Sequence, residues 1–390
     1  MDTTQWVSER IKTLPPYIFS DFARKKRELE NKGVDVIDLG IGAPDLPTPA
    51  FVSKVLAEEA KKPENHRYSS YNGCFEFRQA VSVFYQRRYG VELDPDTEVL
   101  ALIGSKEGIV HLIQAMINPG DKVIIPDPGY PVYQTGVHLA GGKSVSLHLD
   151  AKKGFTPKFD SLDTDDKREA KLMFLNYPSN PTAATVELDI FKKAVSVAKE
   201  NNIFLAHDAA YDLITFNVYQ SPSVLQVPGA KDIAVEFGSL SKSYNMTGWR
   251  IGYVVGNKEV IKTLLTLKSN IETSQFLAIQ KAAAAALTSD HSTVKKNNLI
   301  LQARMEKFYT SLKEMGFELE KPRGTIFLWV KIPEQYTSLQ FANLLLEKAG
   351  IIVTPGIAFG KGGEGFIRIS LSIAEERIDE AVKRLKKLQY

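Results

Sequence analysis

The sequence predicts an α/β fold: a large domain with a mostly parallel, seven-stranded sheet flanked by helices, and a smaller α+β domain formed by both chain ends. From about residue 98, short apolar runs alternate with segments of helical length. This alternation is typical of βα units, whose parallel strands are buried on both faces. Residues 290–390 instead show a long polar helical pattern, scattered strands and a basic C-terminal helix.

The seven predicted strands are short and mostly rich in β-branched residues. They are 99–103, 123–125, 145–147, 172–175, 203–206, 233–237 and 251–255. Polar or Gly/Pro-rich turns follow five of them, near Gly104, Pro126, Asn176, His207 and Ser239. Because ligands of such sheets bind at the carboxyl ends of the strands, the five turns predict one shared site.

The chain is expected to divide at two positions. We expect residues 46–288 to form the large domain, and residues 1–45 with 289–390 to form the small one. The Pro-rich run Gly42–Pro49 is the expected crossing between them, and a long helix is predicted from about Ser292 to Met315.

Composition argues against several classes of protein. The net charge of +3 on 390 residues is too small and dispersed to favour nucleic-acid binding. Cys74 is the only cysteine, which excludes an intrachain disulfide and a thiolate metal cluster, and no metal site is predicted. The N-terminus lacks an apolar signal-peptide core, and the apolar runs are too short to cross a bilayer. We therefore expect a cytoplasmic protein that is not bound to membranes.

The run from Ser239 to Arg250 carries the most specific chemistry. Lys242 stands between Ser241 and Ser243, and Arg250 follows eight positions later. A lysine amine forms an imine with an aldehyde, and serine hydroxyls with an arginine bind a phosphate dianion. An aldehyde and a phosphate on one molecule describe pyridoxal 5′-phosphate (PLP). By itself such a run is more often a polar loop, so the prediction depends on the other turns.

Other turns supply what the pyridine ring of PLP requires. Asp208 ends a strand run and would keep the ring nitrogen protonated, although an aspartate here is also a common helix cap. Tyr211 and Asn180 would hold the ring oxygen, and Tyr130 would cover the ring face. Core packing or an ordinary turn is the alternative for each of these three residues.

Two further features would bind anionic groups. Ser105 and Lys106 follow Gly104 and open a helical pattern, so the backbone N–H groups there would face a phosphate, with Arg250 as its cation. Arg368 lies inside an alternating apolar run, where an edge or surface position is the usual explanation. In a cleft, it would bind a carboxylate through two parallel N–H bonds.

These residues resemble the fold-type I, PLP-dependent aminotransferases of class I/II over nearly the whole chain. Four motifs occur in the family order: Asn180–Thr182, Asp208–Tyr211, Ser239–Gly252 and Arg368–Ser370. Within that family the closest resemblance is to the LL-diaminopimelate aminotransferases. It is carried by the runs Leu14–Phe19, Leu39–Asp45, Ile103–Gly108, Asp127–Tyr133 and Gly363–Arg368.

The resemblance implies a role for each candidate residue. Lys242, Asp208 and Tyr211 would be catalytic. The other cofactor contacts would be Ser105, Lys106, Tyr130, Asn180, Ser239, Ser241 and Arg250. Tyr68 would reach the phosphate of the partner subunit's cofactor, which implies a homodimer with shared sites. The amino-acid and 2-oxo-acid substrates would contact Tyr17, Gly42, Lys106, Tyr130, Asn180 and Arg368.

The implied reaction moves an amino group between LL-diaminopimelate/tetrahydrodipicolinate and 2-oxoglutarate/glutamate, in lysine biosynthesis. The chain departs from the family pattern at Ala183, usually a glycine, and across Arg323–Phe327. Tyr71 stands where some members that handle diaminopimelate have an acidic residue for the distal ammonium. Two alternatives therefore stay open: the same chemistry on alanine, aspartate, methionine or aromatic amino acids, and a PLP-dependent carbon–sulfur β-lyase.

Overall fold

The computed structural model describes residues 3–14 and 18–388. Its α-helices are α1 (Glu9–Lys12), α2 (Ile18–Glu30), α3 (Ala50–Glu59), α4 (Phe75–Tyr89), α5 (Ser105–Met116), α6 (Val132–Leu139), α7 (Thr164–Glu169), α8 (Leu188–Glu200), α9 (Leu240–Ser243), α10 (Lys258–Ile271), α11 (Leu277–Thr288), α12 (Ser292–Glu314), α13 (Ser338–Ala349) and α14 (Glu375–Leu385). Its strands are β1 (Ile37–Asp38), β2 (Val99–Leu102), β3 (Lys122–Asp127), β4 (Lys143–Asp150), β5 (Thr156–Pro157), β6 (Ala170–Asn176), β7 (Phe204–Asp208), β8 (Ala234–Ser239), β9 (Gly252–Gly256), β10 (Phe327–Lys331), β11 (Ile351–Ile352), β12 (Thr354–Pro355) and β13 (Phe366–Ser370).

The large sheet has the strand order β2-β9-β8-β7-β6-β3-β4-β5. Strands β4, β3, β6, β7 and β8 are parallel, and β9 is antiparallel to both of its neighbours. The predicted α/β fold class and all seven predicted strands are confirmed. An eighth strand, β5, pairs antiparallel with β4 over two residues. It is too short to produce a periodic pattern in the sequence.

The large sheet is buried on both faces because alternate residues of its strands enter two different cores. In β6, Leu172 and Phe174 pack with Ile109 and Leu112 of α5 on one face. Met173 and Leu175 point into the other core, which includes residues of α4, α8 and α11. Because helices cover both faces of the sheet, its polar groups reach solvent at the ends of the strands.

A smaller pair of sheets lies beyond the carboxyl ends of β6 and β7, where Tyr211 and Ile214 pack in its core. Strands β10, β13 and β12 form an antiparallel sheet with β13 in the centre, and β1 pairs parallel with β11. One core joins Phe22 and Ile37 from near the N-terminus to Met305 and Phe308 of α12. The predicted long helix is confirmed, since α12 spans Ser292–Glu314. The predicted domain boundaries stay a prediction. Among the described helices, none is long and apolar enough to cross a membrane.

A buried polar network lies beneath the carboxyl ends of β7 and β8. Glu236 is 0% exposed and accepts hydrogen bonds from Tyr85 Oη at 2.7 Å, Ser223 Oγ at 2.8 Å and the Val224 N–H at 2.9 Å. Its Oε2 also lies 2.7 Å from His207 Nδ1. His207 precedes Asp208 in β7, so the network fixes the end of the strand that carries the Asp208 carboxylate.

Replacing Glu236 with glutamine should destabilise the protein, because one acceptor oxygen becomes an NH₂ group that faces other donors. We expect Glu236→Gln to lower the free energy of unfolding by about 1–3 kcal/mol. Urea unfolding followed by circular dichroism measures the difference. Glu200→Gln, at an exposed helix end, is the matched control. Equal stabilities for the two variants would contradict a stabilising role for the network.

Candidate active site

A cavity of about 710 Å³ lies at the carboxyl ends of β6, β7 and β8 and is closed on its other side by β10 and β13. The structure brings most of the predicted site residues together in its lining. These are Gly42, Ser105, Lys106, Tyr130, Asn180, Asp208, Tyr211, Ser239, Ser241, Lys242, Arg250 and Arg368. Two predicted residues are not in this set. Tyr68 is 90% exposed and does not line the cavity, and Tyr17 lies outside the described residues.

Asp208 ends β7 and is only 4% exposed. Tyr133 Oη donates a hydrogen bond to its Oδ2 at 2.8 Å, and the Ala210 N–H donates to Oδ1 at 3.2 Å. Burial raises the pKa of Asp208, and these two donors oppose that rise. The carboxylate is therefore desolvated but supported on both oxygens, which suits it to pair with a buried cation.

Lys242 lies in the short helix α9, directly after β8. Ser239 caps this helix, since its Oγ accepts from the Ser241 N–H at 3.2 Å. Lys242 Nζ donates to the carbonyl oxygen of Gly42 at 2.6 Å. Burial, together with the positive charges of Arg368 and Arg250, lowers the pKa of Lys242 to about 8. A fraction of the amine is therefore neutral and nucleophilic near physiological pH.

The N-terminus of α5 and Arg250 form the polar end of the cavity. Gly104 has a φ of +83°, and any side chain there would collide with the Arg250 guanidinium. Arg250 Nη1 donates to the Thr247 carbonyl at 2.9 Å, and its own carbonyl accepts from Gln275 Nε2 at 2.9 Å. The first N–H groups of a helix have no partner within it, so this end offers N–H donors and a guanidinium to an anion.

Arg368 occupies the central strand β13 and is 4% exposed, so the edge or surface explanation is excluded. Its Nη1 donates to Asn180 Oδ1 at 2.7 Å, and its Nη2 donates to the Gly40 carbonyl at 2.7 Å. The guanidinium lies 4.2 Å from the ring centre of Phe327 and 4.8 Å from that of Phe359. The side chain is therefore held in one orientation before any ligand arrives.

Sequence reasoning missed several residues that shape the cavity. The sequence shows Tyr133 only as the last residue of the run Asp127–Tyr133, yet its hydroxyl donates a hydrogen bond to Asp208. Asn176 Nδ2 donates to the Asp208 carbonyl, and its Oδ1 accepts from the Asn180 N–H, both at 2.8 Å. Asn176 opens a turn after a strand, which was an available signal. The sequence gives no such signal for Phe327 and Phe359, because apolar residues at these positions are typical of a core.

Residues 34–385 match the profile of the family described as aminotransferase class I and II. The chain belongs to this family. It is 48% identical over 381 residues to the LL-diaminopimelate aminotransferase of Moorella thermoacetica, covering 98% of both chains. The enzyme of that name from Aquifex aeolicus is also 48% identical, over 98% of this chain and 99% of the relative. A solved structure of apo-BacF from Bacillus subtilis superposes with a TM-score of 0.94 and 38% identity, over 98% of each chain.

The aminotransferase is PLP-dependent, as are the members of its family and fold. Its own residues fit this cofactor. Asp208 is a buried carboxylate at the correct end of β7, Lys242 is a desolvated amine, and the start of α5 with Arg250 is a polar, cationic end suited to phosphate. A carboxylate, an amine and a phosphate-binding turn in one cavity are the parts that PLP requires.

The pKa of Lys242 should control how fast the apoenzyme captures PLP, because only the neutral amine attacks the aldehyde. We expect the association rate constant to rise with pH through about 8 and then to level off. In Arg368→Gln the midpoint should move upward, since one of the positive charges that lower this pKa is removed.

Stopped-flow absorbance of the apoenzyme mixed with PLP measures the rate at each pH. Arg377→Gln, a surface arginine paired with Asp35, is the control and should keep the original midpoint. A rate that does not change with pH, or the same midpoint in both variants, would contradict the environment assigned to Lys242.

Proposed function

We propose that this aminotransferase moves the amino group between LL-diaminopimelate/tetrahydrodipicolinate and 2-oxoglutarate/glutamate, a step of lysine biosynthesis. The observation that carries the proposal is the pair of cations, Arg368 and Lys106, in one cavity with Lys242 and Asp208. Both amino donors and both oxo acids carry two carboxylates, so each substrate has a partner for each cation. The printed names of relatives that are 48% identical over 98% of the chain support the same substrate.

Arg368 would grip the α-carboxylate, because its guanidinium is fixed by Asn180 and by two aromatic rings. Gly42 lies beside it, and its carbonyl holds Lys242 Nζ. With the α-carboxylate anchored, the substrate Cα would lie within reach of this amine. Lys242 would then remove the Cα proton and deliver it to the aldehyde carbon of the bound cofactor, acting as general base and then general acid.

The remaining residues would hold the cofactor, which when bound supplies the electron sink for the carbanion formed at Cα. Asp208 would keep a proton on the ring nitrogen. Tyr211 and Asn180 would donate to the ring oxygen, and Tyr130 would cover the ring. The phosphate group would be bound by Ser105, Ser239, Ser241 and Arg250 and by the backbone N–H of Lys106, which leaves the Lys106 ammonium for the substrate.

The enzyme would act as a homodimer in the cytoplasm. Tyr68 is 90% exposed, and it belongs to a set of exposed aromatic side chains with Tyr71 at 47% and Phe75 at 46%. Large exposed apolar side chains close together in sequence are typical of a surface that another chain covers. A second copy would bury them and would bring Tyr68 to the phosphate end of its neighbour's cavity.

A second candidate is an aminotransferase for amino acids with an apolar or aromatic side chain. Among the described residues that line the cavity, Asp208 is the only carboxylate, and its place is at the ring end. The distal ammonium of diaminopimelate therefore has no carboxylate partner within this lining. Tyr71 stands where some members that handle diaminopimelate have an acidic residue, so it would supply no negative charge for that ammonium either.

A half-reaction screen separates the candidates. Holoenzyme is mixed with one amino acid at a time, and the conversion of the cofactor to its pyridoxamine form is followed by absorbance. We expect LL-diaminopimelate and glutamate to react fastest, since both offer a carboxylate to Arg368 and another to Lys106. A response only to phenylalanine, methionine or alanine would contradict the proposal and support the second candidate.

Two controls make this screen specific. Arg368→Lys should slow the half-reaction with every amino acid by about 10-fold or more, because lysine cannot form two parallel hydrogen bonds to a carboxylate. Release of pyruvate and ammonia from cystathionine without a 2-oxo acid would contradict transamination and indicate the β-lyase.

A further inference from the structure

Four ionisable side chains meet between α5 and α10, and none of them lines the cavity. Glu107 and His111 come from α5, and Lys268 and Glu272 come from α10 and the residue after it. Glu107 Oε1 lies 3.1 Å from His111 Nδ1 and 3.6 Å from Lys268 Nζ, which also hydrogen-bonds to Glu272. Lys268 is 0% exposed and His111 9%. The side chains of Glu107 and Glu272 are each 20% exposed, so the cluster is partly withdrawn from water.

The charges of this cluster do not cancel. Two carboxylates face a single ammonium, so the cluster has a net charge of −1 when His111 is neutral. Within the described residues, three buried atoms have no hydrogen bond of good geometry: both carboxylate oxygens of Glu107 and Nδ1 of His111. A buried excess charge with unsatisfied oxygens is unfavourable. The ammonium of Lys268 already lies among these atoms, so a proton supplies the missing positive charge more readily than a metal ion.

The cluster is connected to both parts of the proposed phosphate site. Glu107 is the third residue of α5, directly after Ser105 and Lys106. Glu272 leads into the segment of Gln275, whose Nε2 donates to the carbonyls of Leu102 and Arg250. A negative charge one turn from a phosphate dianion repels it and opposes the helix dipole that attracts it.

We propose that Glu107 and Glu272 form a proton-sharing carboxyl pair that positions the phosphate-binding turn of α5 and sets how tightly it holds phosphate. This inference rests on the phosphate role proposed for Ser105 and Lys106. With one proton on the pair, a carboxylic acid donates to a carboxylate and the cluster is neutral. Without that proton, the two carboxylates repel each other, and the cluster adds a negative charge behind the phosphate.

The electrostatics place this change near neutral pH. Burial and the neighbouring Glu107 raise the pKa of Glu272 from 4.5 to about 7. Burial alone would also raise the pKa of Glu107, but His111, Glu272 and Lys268 together hold it below its usual value. Because the pKa of Glu272 is raised in the folded state, the stabilisation from its proton is complete below about 4.5 and is lost as the pH rises through about 7.

Titration of the apoenzyme with pyridoxamine 5′-phosphate tests the pair, since this ligand has the phosphate but forms no bond to Lys242. Glutamine at position 272 has the shape of the protonated acid at every pH. We expect wild type and Glu272→Gln to bind equally at about pH 6, and wild type to bind about 3–10-fold more weakly at about pH 8.5. Tryptophan fluorescence measures the dissociation constants.

Two controls separate the phosphate effect from general effects. Pyridoxamine, which lacks the phosphate, should show no pH-dependent difference between wild type and the variant. Glu259→Gln, exposed at the other end of α10, should behave as wild type. Glu107→Gln removes the other carboxylate and should also flatten the pH dependence, so a folding defect in one variant leaves the other as the test.

The inference is overturned if the ratio of dissociation constants is the same at both pH values, or if pyridoxamine shows the same ratio as its phosphate. Those results leave the proposed substrate and the role of Lys242 untouched. If wild type bound pyridoxamine 5′-phosphate no better than pyridoxamine at any pH, the phosphate site itself would be wrong, and this inference with it.

Discussion

The desolvation of Asp208 is the constraint on which the site depends. A carboxylate that is only 4% exposed is unfavourable unless donors or a cation compensate for the lost water. Tyr133 and the Ala210 N–H compensate in part, and a protonated pyridine nitrogen would complete the balance. Burial, with the positive charges of Arg368 and Arg250, also lowers the pKa of Lys242 to about 8. Burial therefore increases the neutral fraction of the amine and leaves a carboxylate that a bound cation would stabilise.

The topology of the large sheet delivers these groups to one place. Strands β6, β7 and β8 are parallel, so Asn176, Asp208 and Ser239 end at the same edge. Strand β9 runs the opposite way, and its first residue, Gly252, pairs with Leu102 at the end of β2. This reversal returns Arg250 to the start of α5, where Gly104 leaves space for the guanidinium. An all-parallel arrangement would place Arg250 at the opposite edge.

Much of this could be predicted from the sequence because it is local. A strand followed by a polar turn is visible in a short window, and Asp208, Asn180 and Lys242 all belong to such turns. The support of Asp208 by Tyr133, which lies 75 residues earlier in the chain, depends on strand order. The contacts of Arg368 with the rings of Phe327 and Phe359, and the packing of α5 against α10, likewise arise only when distant elements pack. Tyr17 lies outside the described residues, so its proposed contact rests on the family resemblance.

The lysine that holds the cofactor can be identified by chemical labelling. Lys106 and Lys242 both line the cavity. Lys242 is assigned to the cofactor because it is buried there and its charge interacts with that of Asp208. Holoenzyme is reduced with borohydride, which fixes PLP to the amine that binds it, and is then digested and sequenced by mass spectrometry. We expect a single modified peptide with the label on Lys242. A label on Lys106 or on another lysine, with Lys242 unmodified, would contradict this assignment.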